Sequence, residues 1–253
     1  MSEFAFNPNQ PRDERGRWAA TGGGGTGVYD GPIVATPESD ALAAPIFAAA
    51  VAAEPRITAR LGELIEPFGG MFYGLDHRLK AEAKISEKIE RIMVEKGMTR
   101  EQAAGDVKDA VRYTVHFDES EFGDAAQTAI DALRAEGNEL VVKNTWPPEK
   151  GVSYKGVNVN VYQPDGVVYE VQFHTPGSQA VKDRMHGLYE QQRVLPKSDP
   201  RWGELEAQMQ QMGTQQPMPR DAEKVFKVAA HQRRRRPRRV FHVARSATLS
   251  TEV

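Results

Sequence analysis

The 253-residue sequence contains no cysteine, which excludes a disulfide framework and any thiolate-bound metal. It also lacks a long apolar run. The Ala-rich stretch 41–53 is shorter than the roughly 20 residues a membrane-spanning helix needs and is interrupted by Pro45, so it reads as a pair of soluble helices. The N-terminus does not show the basic, apolar and small-residue order of a secretion signal. Together these absences predict a cytoplasmic protein with no membrane partner. Net charge is nearly absent too, at −2, but the average hides an uneven distribution. Arg233, Arg234, Arg235, Arg236, Arg238 and Arg239 form a basic tail of the kind that binds nucleic-acid backbones or serves localisation. What remains, 40% hydrophobic and 27% charged residues, is the composition of a globular protein with one main domain and tails.

Residues 1–37 are rich in Gly, Pro, Asn and charge and include the run Gly22 to Gly25. They can bury too little apolar surface to offset ordering entropy, and read as a flexible leader. Its FNPNQPRDERGRW is similar to linker segments in structural and toxin-bearing proteins of tailed phages. Residues 38–69 read as a helical segment, 70–195 as the main domain, and 196–253 as a further helical segment ending in the arginine tail. Within the domain, Asp76 is placed to cap a helix along which Ile85, Ile89, Ile92 and Met93 recur on one face. Thr99 to Gln102 forms a capping box for a second helix running towards Asp109. VRYTVHF then alternates as a half-buried strand, a helix from about Glu121 to Glu136 stops at Gly137, and ELVVK forms a strand. VNVNVYQPDGVVYEVQFH is a hairpin around Pro164, Asp165 and Gly166. Its register sets Asn158 against Gln172 and Asn160 against Glu170 on one face, with valines and aromatics on the other. Thr175-Pro176 opens a helix to about Arg193 that buries Val181, Met185 and Leu188. The expected fold is α+β, a mostly antiparallel sheet of four or five strands with helices packed on its apolar face.

Lys80, Lys84, Lys88 and Arg91 follow helical spacing on that first helix and form one stripe, with Arg78 beside them. Such a stripe is either a solvated face or a row of cations long enough for a polyphosphate. Asp106 and Asp109 lie where the second helix should end, before Arg112, and Glu170 lies among amides on the polar hairpin face. Asp109 and Glu170 are thus two separate solvated acids or a pair able to hold one Mg²⁺. Tyr154, next to Lys155, is either a core tyrosine or a base-stacking platform. Lys182, His186, Tyr189 and Arg193 share a helical face that is either polar surface or an acceptor-binding wall.

In this order the segments resemble the RelA/SpoT nucleotidyltransferase family, which includes alarmone synthetases and related toxins. RLKAEAKISEK is similar to the family's basic helix, which implies that Arg78, Lys80 and Lys88 grip ATP phosphates, with Lys84 where serine is more typical. DAVRYTV resembles the segment with the first magnesium ligand, Asp109, with Asp106 as the alternative. KNTWPPEKGVSYKGVN is similar to the acceptor loop, implying acceptor contacts from Tyr154, Lys155 and Asn158. YEVQFHT resembles the segment holding the second metal ligand or base, Glu170, with Gln172 beside it and His174 in place of the usual arginine. From the helical face described above, His186 and Arg193 are expected to complete the acceptor site. The resemblance implies a magnesium-dependent pyrophosphokinase that moves the pyrophosphate of ATP to a nucleotide or to the tRNA 3′ end, with growth-inhibiting or phage-defence roles and an antitoxin partner. A virion-associated protein that keeps the fold without its chemistry is the competing reading.

Overall fold

The computed structural model describes residues 34–147 and 152–225. The leader and the arginine tail therefore lie almost entirely outside the described residues. The chain opens on α1 (Pro37–Ile65), whose N-cap Thr36 forms a capping box with Ser39. The expected helix pair is in fact this one helix. Pro45 and Pro55 lie on its exposed side, where the carbonyls they leave unbonded can turn to water. Packing of Ala43, Ala50, Ala53, Ile57, Leu61 and Ile65 keeps the helix continuous across both prolines. By length and composition the stretch Pro37–Phe68 could cross a membrane, yet those six residues are buried against the rest of the fold.

β1 (Met71–Tyr73) and a 3-10 turn at Leu75–His77 follow, and α2 (Glu82–Lys96) begins six residues later than the expected cap at Asp76. The reason lies in the backbone. Leu79 bridges to Val111, the Lys80 amide donates to the Ala110 carbonyl, and the Arg112 amide donates to the Arg78 carbonyl. These groups are engaged sideways and cannot also close helical turns. α3 (Arg100–Ala104) carries the Thr99–Gln102 capping box but ends at Gly105, so Asp106 and Asp109 sit in a loop beyond it.

β2 (Arg112–His116), α4 (Phe122–Ala135), β3 (Glu139–Asn144), β4 (Val157–Tyr162) and β5 (Val168–His174) follow in the expected order. The five strands form one open sheet ordered β1-β2-β5-β4-β3. All its pairings are antiparallel except β2 with β5. The hairpin register is the expected one, with Asn158 opposite Gln172 and Asn160 opposite Glu170, and Gly166 takes a φ of 93° in the loop. The parallel pairing extends the two faces across β2. Tyr113, Val115 and Phe117 join the valines and Phe173 on the apolar side, under Ile57 and Leu61 of α1, Ile85 and Ile89 of α2, and Ile130 and Leu133 of α4. Arg112, Thr114 and His116 join Glu170, Gln172 and His174 on the polar side.

α5 (Pro176–Gln192), α6 (Pro200–Thr214) and a 3-10 turn at Ala222–Lys224 follow. α5 leaves the end of β5 and lies over the polar side rather than with α1, α2 and α4, as the Lys182–Gln172 and His174–Ser178 contacts show. That location explains its weak apolar face. Of the three residues expected to be buried, only Met185 is; Val181 and Leu188 are half-buried.

Candidate functional site

The polar side of the sheet gathers the chemistry. At one end Asp109, buried in the loop before β2, accepts from Lys88 Nζ at 2.5 Å on Oδ1 and faces Lys80 Nζ at 3.5 Å on Oδ2. Burial pushes the Asp109 carboxyl up, but Lys88, Lys80 and Arg112 together outweigh it and hold the carboxyl below the usual range. Burial acts in the opposite sense on Lys80, drawing its ammonium down, aided by Lys88 and Arg112 and resisted by Asp109.

Lys80 reaches this site from extended backbone and Lys88 from the second turn of α2, so the expected single helical stripe does not exist. Lys84 is turned away, exposed and paired with Glu87. Arg78 is directed to α1, where Nε bonds Glu54 and Nη1 donates to the Leu75 carbonyl at 2.7 Å. Asp106 belongs to another cluster, with Lys96 at 2.5 Å and Lys108 at 2.9 Å.

At the centre, Arg112 is the register partner of Glu170 across the parallel pair. Its guanidinium is exposed and forms no ion pair or hydrogen bond among the described residues. It nonetheless acts electrostatically on Asp109 and Lys80 on one side and on Tyr154 and Lys182 on the other. Glu170 is half-buried and accepts from the amide of Gln172. Gln172 Oε1 in turn accepts from Lys182 Nζ at 2.7 Å. The same ammonium stands 5.9 Å from the centroid of the Tyr154 ring. Burial, with Arg112 adding to it and Asp183 and Glu170 opposing, brings the Lys182 ammonium down to about 8.

Around Tyr154 the side chains interlock. Its hydroxyl lies 2.5 Å from Asn158 Oδ1 and 2.8 Å from His174 Nε2. Burial raises the phenol pKa. His174 is wholly buried, with Nδ1 at 3.0 Å from Ser178 Oγ. Burial holds its imidazole well below the ordinary range, so the ring is neutral. Farther along, Tyr73 stacks on His116 at 4.7 Å and donates to Asp183 at 2.9 Å.

The other expected acceptor residues are placed differently. Lys155 is buried and its Nζ donates to the Thr145 carbonyl at 3.2 Å. His186 is exposed, and Arg193 is exposed and paired with Glu190 at 2.9 Å. No hydrogen bond or ion pair among the described residues brings His186 or Arg193 to the cluster. Arg112 did not stand out from the sequence as a site residue, although its alternation with Tyr113, which puts it opposite the core, was a signal. Of the four residues on the helical face that offered an acceptor wall, Lys182 is the one that joins the cluster by a hydrogen bond among the described residues. A cavity of about 470 Å³ lined by Glu119, Ser178, Arg184 and Gln216 lies beside the start of α5 and includes none of these charged groups.

Asp109 and Glu170 offer hard oxygen donors, which suit Mg²⁺, an ion commonly held by one or two carboxylates together with substrate phosphates. No group of three or more acidic or histidine side chains among the described residues forms a closed metal cage. The donor set therefore fits a magnesium ion that arrives with a phosphate ligand, provided Lys80 and Lys88 yield Asp109 to it.

No protein-family model and no curated protein sequence matches the chain. In structure it is similar to the Type VI effector Tas1, solved in complex with its immunity protein, at 17% identity and a TM-score of 0.47, covering 71% of this chain and 95% of that one. It is similar to a GTP pyrophosphokinase family protein from Streptococcus pneumoniae at 16% identity and a TM-score of 0.46, covering 71% and 87%. A third similar structure is the small alarmone synthetase 1 of Bacillus subtilis bound to its product pppGpp, at 16% identity and a TM-score of 0.43, covering 63% and 82%. At these values the likeness assigns no residue and no reaction to this chain.

Proposed function

We propose that the chain is an ATP-dependent pyrophosphokinase of RelA/SpoT type. The observation that carries this reading is a juxtaposition. Of the residues matched separately in four sequence segments, Lys80 and Lys88 flank Asp109, Glu170 acts electrostatically on Tyr154, and Arg112, the register partner of Glu170, acts on Asp109 and Lys80 as well as on Tyr154. Lys80, Lys88 and Arg112 bind the phosphates of ATP. Tyr154 stacks on the acceptor base, and Lys182 faces the acceptor phosphates. The acceptor ribose hydroxyl attacks the β-phosphorus, the bond from that phosphorus to the α,β-bridging oxygen breaks, and AMP leaves. Glu170 accepts the hydroxyl proton. Mg²⁺ held between Asp109, Glu170 and the nucleotide would neutralise charge on the transferred group.

The acceptor is a guanine or adenine nucleotide or the terminal adenosine of tRNA, and the arginine tail favours RNA. A role as a toxin countered by an antitoxin, or as a phage-defence factor, belongs to the same reading. The test is incubation of the full chain with γ-labelled ATP, magnesium and, separately, GTP, GDP, unlabelled ATP or bulk tRNA. Label is expected to move to one acceptor class. ATP binding without transfer to any of them would establish the competing reading, a binding protein that keeps the fold.

A further inference from the structure

We infer that His174 is a positioning residue that clamps the Tyr154 ring through a directional chain of hydrogen bonds from Ser178 to His174 to Tyr154 to Asn158. The inference rests on the proposal that Tyr154 is the acceptor platform. A stacking platform is effective only if its ring is held in the orientation the base requires.

The geometry assigns the direction of the chain. Ser178 Oγ accepts from the Thr175 amide at 3.0 Å and lies 3.0 Å from His174 Nδ1. Its single proton can go to that nitrogen or to the Thr175 carbonyl at 3.1 Å, but the carbonyl already accepts from the Gln179 amide in the first turn of α5. Donation to Nδ1 therefore leaves no buried group unpaired. It places the imidazole proton on Nε2, which donates to the Tyr154 oxygen at 2.8 Å, and the phenol proton then goes to Asn158 Oδ1 at 2.5 Å.

The backbone is shaped for the same contact. A Cβ at Gly156 would stand 2.8 Å from His174 Cε1 and 2.9 Å from the Tyr154 oxygen. Only glycine lets the strand approach this pair. His174 has no exposed surface with which to touch a substrate, and it meets the Tyr154 ring edge-on at 5.3 Å between centroids. The histidine that stands where the resembled family usually has arginine thus acts through the tyrosine instead of on the acceptor.

The experiment combines kinetics, binding and nuclear magnetic resonance on the full chain. His174→Phe keeps a ring but ends the chain of bonds, whereas His174→Gln retains an amide donor near the Nε2 position. Loss of a stacking platform corresponds to about 5- to 150-fold in affinity. Phe is therefore expected to raise the acceptor KM about tenfold with less than about twofold change in the ATP KM, and Gln is expected to restore most of the difference. Gly156→Ala is expected to follow Phe. Long-range proton–nitrogen spectra of the wild type are expected to show a neutral His174 ring protonated on Nε2, with a signal that moves in Tyr154→Phe.

If no transfer occurs, equilibrium binding of GDP, GTP and ATP replaces KM. A loss of affinity confined to His174→Phe and Gly156→Ala would then keep the clamp while the transfer reading fails. Unchanged KM and affinity in His174→Phe, or a His174 signal indifferent to Tyr154→Phe, overturns the clamp whatever the reaction is.

Discussion

At the scale of single residues, position on the sheet separates groups that composition treats alike. Lys80, Lys84 and Lys88 are three lysines at helical spacing, but only Lys80 and Lys88 meet Asp109. Lys88→Ala is expected to weaken ATP use by about 1.5–3 kcal/mol, the range for a hydrogen bond to a charged group. Lys84→Ala, which breaks only an exposed pair with Glu87, is expected to stay within about 0.5 kcal/mol of the wild type. The ATP concentration dependence of each variant checks this, and equal effects would make the cluster ordinary surface. Glu170→Gln is expected to lower the transfer rate about 10²–10⁴-fold, the usual contribution of a positioned proton acceptor, without lowering the thermal midpoint, because Glu170 is only half-buried. Asp109→Asn is expected to lower both. It removes the carboxylate from between two lysines that are largely shielded from solvent, and a thermal melt beside the assay distinguishes the two variants.

At the scale of elements, the sequence disclosed what is set locally and concealed what is set by distant partners. The hairpin register, the capping box at Thr99, the helix start at Thr175-Pro176 and the stop at Gly137 are written in neighbouring residues, and all appear in the structure. The late start of α2 could not be read, because backbone bonds to Ala110 and Val111, about thirty residues away, hold residues 78–80 extended. Nor could the parallel β2–β5 pairing, which brings Arg112 to Glu170 and has no turn residues to announce it. The docking of α6 was equally hidden. It rests on α5, and its Gly213 lies so close to the loop before β4 that an added Cβ would stand 2.0 Å from the Ser153 carbonyl oxygen. Gly213→Ala must therefore displace α6 or move Ser153, the neighbour of Tyr154. It is expected to cost about 1–3 kcal/mol of stability, the usual range for overpacking, and to impair acceptor use more than ATP use. Denaturant unfolding together with separate KM measurements checks both effects, and a variant as stable as the wild type would show that α6 is loosely held.

Across the whole molecule, burial of ionisable groups sets how stability depends on pH. Two kinds of group act in the same direction. His116 and His174 lie on adjacent strands, and burial lowers the pKa of each, most strongly for His174. The unfolded chain therefore takes up protons from about pH 6.5 downward that the folded chain refuses. Each proton bound only by the unfolded state lowers stability by about 1.4 kcal/mol per pH unit. That loss continues until the folded-state pKa is reached. The carboxyls add to it at lower pH. Glu54 is held low by its bond to Arg78 against the effect of burial; in Glu90, Asp106 and Asp109, burial is the largest single influence and raises the pKa. It is outweighed by Arg100 with the Thr36 and Ser39 hydroxyls at Glu90, by Lys96 and Lys108 at Asp106, and by Lys88, Lys80 and Arg112 at Asp109. A carboxyl with a depressed folded-state pKa contributes stability that is complete above its unfolded pKa of about 4 and is lost as pH falls through the folded value. Stability measured by denaturant unfolding is thus expected to fall in two stages, a shallow one beginning near pH 6.5 and a steep one below about pH 4. The first stage can be assigned. His174→Gln keeps a donor beside Tyr154 but cannot be protonated, so it is expected to flatten the slope between pH 6.5 and 5 by up to about 1.4 kcal/mol per pH unit while leaving the acid limb unchanged. A slope identical to the wild type would mean that His174 takes up its proton in the folded protein as readily as in water, and the buried chain of bonds around Tyr154 would then be open to solvent.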